Sequence, residues 1–118
     1  MSEQSPEFIY RLASAAEWRR ARENGAVPKR DIDLKDGYFH LSTQEQALET
    51  ARLHFAGVDD LVALEIPVAV VSDKLKFELA PKRGEAFPHY YGDLLAAHVV
   101  RAVRLKREGS AFSFGDPL

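Results

Sequence analysis

The chain has 118 residues, about the length of one domain around a single hydrophobic core. Hydrophobic residues make up 46% of it and charged residues 29%, which is ordinary for a folded protein and excludes a disordered one. Cysteine is absent and the formal net charge is -2, so disulfides, thiolate metal sites and an overall basic field for nucleic acid are excluded. We expect a single domain, 1–118, with flexible ends at 1–6 and 108–118.

The sequence contains no signal for export or membrane insertion. Residues 1–7 are polar and acidic, without the basic cap and apolar core of a secretion signal. The longest apolar run, 66–71, contains Pro67 and is far too short to cross a bilayer. We therefore predict a cytoplasmic protein with no membrane partner.

The first quarter of the chain predicts a strand, a helix and a loop. Apolar and polar residues alternate in 7–12, as in a half-buried strand. Ser14 and Glu17 have the spacing of a capping box, and the helix that they open should end at Asn24, before a glycine. The charged, proline-containing stretch 25–36 predicts a loop.

A second strand–helix unit and a buried strand follow. The stretch 37–41 predicts a strand, and Ser42 and Glu45 form a second capping box for a helix that continues to about Phe55. The largely apolar stretch 61–66 is typical of a central strand.

The second half of the chain predicts further strands. In 75–79 apolar residues alternate with charged ones, so Phe77 and Leu79 are expected to face the core and Glu78 to face solvent or a cleft. The Gly-, Pro- and aromatic-rich stretch 81–91 predicts a loop, and the valines of 97–106 favour a strand. Together these elements predict an α+β fold with a small, mostly antiparallel sheet and about two helices.

The most informative segment is the predicted strand around His40. Tyr38, His40 and Ser42 share one face of it, and Phe39 and Leu41 share the other, which should face the core. An imidazole, a phenol and a hydroxyl would then lie side by side before a helix N-terminus, a place that favours anions. The alternative is that Ser42 is only a helix cap and His40 only a satisfied polar residue.

Other candidate residues lie outside this segment. Phe87, His89 and Tyr91 offer stacking surfaces and hydrogen-bonding groups on a loop, unless they only cover a sheet edge. Glu78 is a candidate base or cation-stabilising carboxylate, the alternative being an exposed strand residue. Arg11 interrupts the apolar first strand and is a candidate phosphate ligand, the alternative being a surface ion pair.

Metal and nucleic-acid binding receive little support from the sequence. The four histidines have no metal-ligand spacing, so we predict no metal site. A small basic patch in 101–107 is best explained as a protected strand edge, and nucleic acid is not an expected partner.

Three separated segments are similar to a known family. Ile9-Tyr10-Arg11, the segment 39–43 and the segment 87–92 resemble, in the same order, the small bacterial family called domain of unknown function 952. The resemblance extends over roughly 8–105. It implies a fold of the ADP-ribosylation type, in which a split, mostly antiparallel sheet and about two helices surround a central cleft.

A more distant similarity is to the RNA 2′-phosphotransferases, in which the matching segments line an NAD pocket. The first strand departs from those enzymes, since it reads Tyr10-Arg11-Leu12-Ala13 where they have Tyr-His-Gly-Thr. The positions that match are Gly25, Pro28, Arg30, His40, Leu41 and Ser42.

These resemblances imply a cleft for a nucleotide-like ligand, with NAD as the implied cofactor and a transferase or NAD-consuming activity. The predicted catalytic residues are His40 and Glu78. The alternative is a non-catalytic module that binds a small ligand or a peptide in the same cleft, and an RNA-binding accessory domain would require the basic patch to adjoin it. The predicted ligand-binding residues are Arg11, Ser42, Phe87, His89 and Tyr91.

Overall fold

Two antiparallel β-sheets form the framework of the protein, seen in a computed structural model that describes residues 6–118. The predicted flexible segment 1–6 therefore lies, except for its last residue, outside the described residues. The strands are β1 (Phe8–Ser14), β2 (Phe39–His40), β3 (Leu61–Pro67), β4 (Leu75–Ala80), β5 (Glu85–Tyr90), β6 (Arg101–Glu108) and β7 (Ala111–Pro117).

The strands divide into a four-stranded sheet in the order β1-β3-β6-β7 and a three-stranded sheet in the order β2-β5-β4. Four α-helices are described, of which two are long, and short 3₁₀ turns precede β4 and β6. This is an α+β architecture, as predicted. The helices are α1 (Ala15–Asn24), α2 (Asp31–Asp36), α3 (Gln44–His54) and α4 (Val68–Val71).

The larger sheet contains most of the core. Six consecutive residues of β3, from Leu61 to Ile66, are buried, because this strand lies between β1 and β6. Helix α1 begins at the predicted capping box, in which Ser14 accepts from the Glu17 amide at 3.1 Å. It ends where Gly25 adopts φ 88°, a left-handed conformation that glycine reaches without strain.

The C-terminal segment, for which the sequence predicts a flexible tail over 108–118, contains the strand β7. Strand β7 pairs with β6, with Phe112 opposite Arg107. Phe112 is buried with the residues of α3, and Phe114 packs against the ring of Tyr10 at 5.9 Å. The apolar surface that these two aromatic residues bury stabilises the segment on the sheet.

The smaller sheet differs from the prediction in its central strand. Residues 85–90 form β5 rather than a loop. Pro88 is tolerated because it lies just beyond the part of β5 that pairs with the two-residue strand β2. The Pro88 carbonyl accepts from the Leu41 amide at 3.1 Å, and this bond does not need the N–H that proline lacks.

Strand β4 does not bury the residues expected to face the core. Phe77 is 41% exposed and Leu79 is 66% exposed, whereas Leu75 packs against the core beside Tyr90. The hairpin formed by β4 and β5 extends past the end of the core, so only its Leu75 end is covered.

The second capping box is shifted by one residue from the predicted Ser42 and Glu45. Ser42 pairs through its main chain with Tyr10 of β1 (N···O 2.7 and 2.9 Å), which holds it in an extended conformation. The cap of α3 is therefore Thr43, whose hydroxyl accepts from the Gln46 amide at 3.3 Å.

Candidate functional site

A cluster of four rings lies on the face of the small sheet opposite to its core residues. Tyr38 is at its centre, stacked on His89 with centroids 4.0 Å apart and an interplanar angle of 22°. His40 lies 4.6 Å and Tyr91 5.2 Å from the Tyr38 ring. These residues, Tyr38, His40, His89 and Tyr91, are called the ring cluster below.

The ring cluster follows from strand register. His40 of β2 and His89 of β5 are direct cross-strand partners, and such partners have neighbouring side chains on one face. Phe39 and Leu41 point the other way and are 1% and 3% exposed. The predicted core face is confirmed, and Tyr38 and His40 share the opposite face as predicted, whereas Ser42 is buried away from them.

Beneath the ring cluster lies a buried ion pair between Arg11 and Asp33. The Arg11 guanidinium donates to both carboxylate oxygens of Asp33, at 3.1 and 2.6 Å, and both side chains are 1% exposed. Asp33 also accepts from the Arg30 amide at 2.8 Å. Burial alone would raise the pKa of Asp33, but hydrogen bonds from His40 and Arg11 and the Arg11 charge lower it well below its usual range.

Arg11, which the sequence suggests as a phosphate ligand, is committed to this ion pair. Arg11 faces the interior, where it donates to Asp33 and to the His40 carbonyl at 3.2 Å, and where its ring neighbour is Phe39 at 5.1 Å. Burial lowers the pKa of the Arg11 guanidinium. Arg11 is therefore a positioning residue that fixes α2 against β2.

Asp33 lies in the stretch that was predicted to be a loop, and no sequence argument selected it. The local signal was present: Asp33 is three residues after Arg30, at the position where an acidic side chain caps the backbone at a helix start. The proline and the charged residues of 25–36 favour a loop more strongly than this spacing favours a helix, so the sequence does not predict α2.

His40 is held by carboxylates at both ring nitrogens. Its Nδ1 lies 2.9 Å from Asp33 Oδ1, and its Nε2 lies 2.9 Å from Asp36 Oδ2. Neither nitrogen is left free to face a ligand.

His89 is held at one nitrogen only. Its Nδ1 lies 2.7 Å from Glu78 Oε1, and the Tyr91 hydroxyl donates to the same oxygen at 2.7 Å. These bonds lower the pKa of Glu78, with Tyr91 as the larger cause, and the bond to Glu78 raises the pKa of Tyr91 to about 12. Since a carboxylate accepts, Nδ1 of His89 is the donor, which leaves Nε2 as the acceptor of the neutral ring.

The structure thus brings four of the predicted site residues together and leaves three apart. His40, Glu78, His89 and Tyr91 meet at the ring cluster. Arg11 is buried beneath it, as described. The Ser42 hydroxyl is buried against Thr50, at 3.4 Å.

Phe87 does not join the ring cluster either. It lies on the same strand as His89, but it is 7% exposed and is covered by the Arg83 guanidinium at 4.6 Å from its ring centroid. Stacking of a ligand on Phe87 would require Arg83 to move.

A cleft of about 330 Å³ opens beside the ring cluster. Two lysines, Lys29 and Lys74, line this cleft. The sequence does not predict their role, because nothing in their local sequence distinguishes them from other surface lysines. Lys29 is 3.3 Å from Asp93 at an exposed position, and Lys74 precedes β4. The lining includes Lys29, Asp33, Leu34, Tyr38, Lys74 and Tyr91.

Gly92 allows the backbone to approach closely at the rim of this cleft. A Cβ atom there would lie 2.8 Å from the Tyr90 hydroxyl and 3.0 Å from Cδ of Lys74. A side chain at Gly92 would therefore force the Tyr90 ring to shift and would crowd the Lys74 side chain.

A second cavity, of about 310 Å³, lies elsewhere and includes Trp18, Arg22 and Arg101 in its lining. Its lining contains no aspartate or glutamate, whereas the cleft includes Asp33 and Asp93. Because β6 contributes to this cavity and not to the cleft, the basic patch of 101–107 does not adjoin the cleft.

Neither a metal-binding cluster nor a membrane-spanning helix is found among the described residues. Between residues 6 and 118, no three histidine, aspartate or glutamate side chains come together as a metal site would require. The helices in this range are all too short or too polar to span a bilayer.

Comparison with known proteins identifies one family and one solved relative. Residues 12–102 match the family described as Protein of unknown function (DUF952). The crystal structure of protein CC0527 from Caulobacter crescentus has a TM-score of 0.80 at 37% identity, covering 94% of this chain and 93% of that one. Its solution NMR structure gives 0.77 at the same identity, covering 90% of each chain. No curated protein matches the chain.

Proposed function

This chain belongs to the family Protein of unknown function (DUF952), and we propose that its cleft binds a nucleotide-like ligand, with NAD and ADP-ribose as the first compounds to test. The observation that carries the proposal is that two rings of the ring cluster, those of Tyr38 and Tyr91, line a cleft that also contains two lysines. Flat rings and cations are the two features that a nucleotide needs from a protein.

The aromatic part of the ligand would pack on Tyr38 and Tyr91. Tyr91 is 42% exposed, and its hydroxyl is fixed by Glu78, so the ring is presented in one orientation. The exposed Lys76, whose Nζ lies over this ring at 5.2 Å, would move aside when a ligand stacks there. Tyr38 is backed by His89. A ring held from behind in this way loses little conformational freedom when a ligand stacks on it.

The anionic part of the ligand would be held by Lys74 and Lys29. Lys74 is exposed and has no carboxylate within 4.0 Å among residues 6–118. The exposed pair of Lys29 with Asp93 can be exchanged for a phosphate at little cost, since such pairs contribute little to stability. The lysines replace Arg11 in the role that the sequence suggested for it.

The size of the cleft limits what enters it. Its volume of about 330 Å³ is at the small end of ligand pockets, so it accommodates one half of a dinucleotide. The separation of the strands into two sheets supports the ADP-ribosylation type of fold that the resemblance implies, with the ligand beside β2 and β5.

The catalytic form of the proposal uses His89 and Glu78. Glu78 orients His89 through Nδ1, and Nε2 is the nitrogen that would accept a proton from a ligand hydroxyl, as in other carboxylate–histidine pairs. Glu78 is 39% exposed and would stabilise positive charge that develops on a ribose during glycosidic cleavage.

Binding without turnover is the second candidate, and one observation favours it. Both ring nitrogens of His40, the predicted catalytic histidine, are held by carboxylates. The cleft lining supports this candidate further, since it includes Tyr38 and Tyr91 but neither His89 nor Glu78.

Calorimetric titration of NAD and ADP-ribose tests the proposal. Lys74→Ala should weaken binding about tenfold, the effect of losing one charge-assisted hydrogen bond. Lys82→Ala, an exposed lysine outside the cleft lining, is the matched control and should bind like the parent. Absence of binding by either compound at millimolar concentration would contradict the proposal.

Chromatographic detection of nicotinamide release separates the two candidates. Loss of release in His89→Ala, with binding retained, identifies an enzyme. Saturable binding with no product from the parent protein identifies a binding module.

A further inference from the structure

We propose that the protein forms a symmetric dimer through the free edge of β4, with a second copy of this chain as the partner. The inference rests on β4 alone and does not depend on what the cleft binds. The edge shares Glu78 with the network around His89, and its readouts are mass and cross-linking rather than ligand binding.

Strand β4 is the outer strand of the small sheet, and within residues 6–118 only β5 pairs with it. Pro88 of β5 lies opposite Phe77, and its carbonyl accepts from Leu41 on the far side. In an antiparallel ladder the backbone groups of a residue point to one side, and bonded and non-bonded pairs alternate. The N–H and C=O of Phe77, and those of Leu75 and Leu79, therefore point to the free edge.

This edge carries large apolar side chains. Phe77 is 41% exposed and Leu79 is 66% exposed. An edge strand with open backbone groups and apolar side chains is a template for pairing with another chain, and natural proteins usually prevent such pairing with charge, proline or a cover. No described element covers this edge, and its two charged residues, Lys76 and Glu78, are of opposite sign, so they can attract a second copy as well as water.

The sequence of β4 complements itself. In antiparallel pairing centred on Phe77, Lys76 of each copy lies opposite Glu78 of the other, and Leu75 lies opposite Leu79. Both charged cross-strand pairs are then attractive, and the apolar residues meet one another. A one-residue shift would remove this match, so the register is specified.

The charged groups required for this pairing are available. Glu78 uses Oε1 for His89 and Tyr91, and among the described residues no hydrogen bond occupies its Oε2. Lys76 has no ion pair there; it lies over the Tyr91 ring at 5.2 Å. Lys76 of the second copy would reach Glu78 and so border the ring cluster.

The outer edge of the larger sheet at β7 does not have this property. Antiparallel pairing centred on Phe114 would set Phe112 opposite Asp116 and Ser113 opposite Gly115, and Pro117 interrupts the ladder. The two edges therefore differ in whether a second copy fits.

Light scattering after size-exclusion chromatography tests the dimer. The parent should have about twice the chain mass of 13.2 kDa at high concentration. Lys76→Glu makes both charged pairs repulsive and should weaken association about tenfold, and Glu78→Lys should do the same. The double variant Lys76→Glu/Glu78→Lys restores complementarity and should dimerise again, whereas Lys106→Glu, at an exposed position of the inner strand β6, should not change the mass.

Cross-linking provides a second test, because the chain has no cysteine of its own. Phe77→Cys places two thiols at the symmetry axis, with Cα atoms about 5.5 Å apart, within reach of a methylene-bridged bis-thiosulfonate. Leu79→Cys, on the same face and more exposed, puts its two thiols about 14 Å apart. The first variant should cross-link to a dimer and the second should not.

Two results would overturn the proposal. One is a parent protein that keeps the mass of one chain up to millimolar concentration. The other is a dimer whose mass is unchanged by Lys76→Glu and whose Phe77→Cys and Leu79→Cys variants cross-link equally. Circular dichroism on each variant confirms that a loss of association is not a loss of fold.

Discussion

His40 and His89 are direct cross-strand partners, yet their surroundings differ in a way that separates structure from chemistry. His40, whose side chain is 31% exposed, connects the buried Asp33 to Asp36 at the surface, and these two carboxylates take both of its ring nitrogens. His89, whose side chain is only 10% exposed, is bonded at one nitrogen only, by the more exposed Glu78. The number of neighbouring carboxylates therefore decides whether each histidine has a ring nitrogen available to a ligand: His40 has none and His89 has one.

The comparison shows which network holds the fold and which is available to a ligand. The Arg11–Asp33 pair is 1% exposed on both sides, so breaking it leaves an uncompensated buried charge. Glu78 is 39% exposed, so water can replace any partner that it loses. Substitutions in the first network should change stability, and those in the second should change titration and binding.

The largest effect is expected from Asp33→Ala. It leaves the Arg11 guanidinium buried and without its carboxylate, at a cost of about 3–5 kcal/mol in the free energy of unfolding. Urea denaturation measures this loss. Asp93→Ala is the matched control, because Asp93 also pairs with a cation but is 81% exposed, and it should cost less than about 1 kcal/mol.

A smaller effect is expected from acid. The pKa of Asp33 is lowered in the folded protein, so its contribution to stability is fully present above the ordinary aspartate pKa of about 3.9 and is lost as the pH falls from there toward the lower folded value. The urea concentration at the midpoint of unfolding should be lower at pH 3 than at pH 5 for the parent protein. The fall should be shallower for Asp33→Asn, and an equal fall in both would show that other carboxylates carry the acid sensitivity.

The smallest effect on stability is expected from Glu78→Gln, which changes titration instead. Removing the carboxylate should return the pKa of Tyr91 from about 12 toward the ordinary value of about 10. Ultraviolet titration of tyrosinate shows this as one additional phenol ionising between pH 10 and 12. Tyr10, whose pKa is also raised to about 12 by burial and Glu65, should not move, and Tyr91→Phe should remove the shifting phenol.

Local signals in the sequence sufficed for the elements that local signals control. The helix after Ser14 begins and ends as predicted, because its capping box and Gly25 act within a few residues. Strand β3 follows from its apolar run. The face that carries His40 follows from simple alternation with Phe39.

The elements that depend on distant partners could not be predicted in this way. Strand β5 contains Pro88 and forms because β2 and β4 lie on either side of it. Strand β7 forms because its two phenylalanines find α3 and β1. A sequence read segment by segment contains neither fact.

The same division applies to the site. The rings of the ring cluster were predicted except for the central position of Tyr38, since aromatic and imidazole groups are conspicuous in any strand. Asp33 and Lys74 were missed, because their roles arise from an arginine on β1 and a glycine after β5. The charge of Arg11 suggests a phosphate ligand, but the residue is buried and forms an ion pair with Asp33 that stabilises the fold.

The central claim is that the cleft beside the ring cluster receives a nucleotide-like ligand. Titration of ADP-ribose into ¹⁵N-labelled protein, followed by two-dimensional NMR, tests it most directly. We predict that the amide signals that move will be those of Tyr38, Lys74, Gly92 and their neighbours. Movement confined to the second cavity, at Trp18 and Arg22, or no movement at all, would contradict the claim.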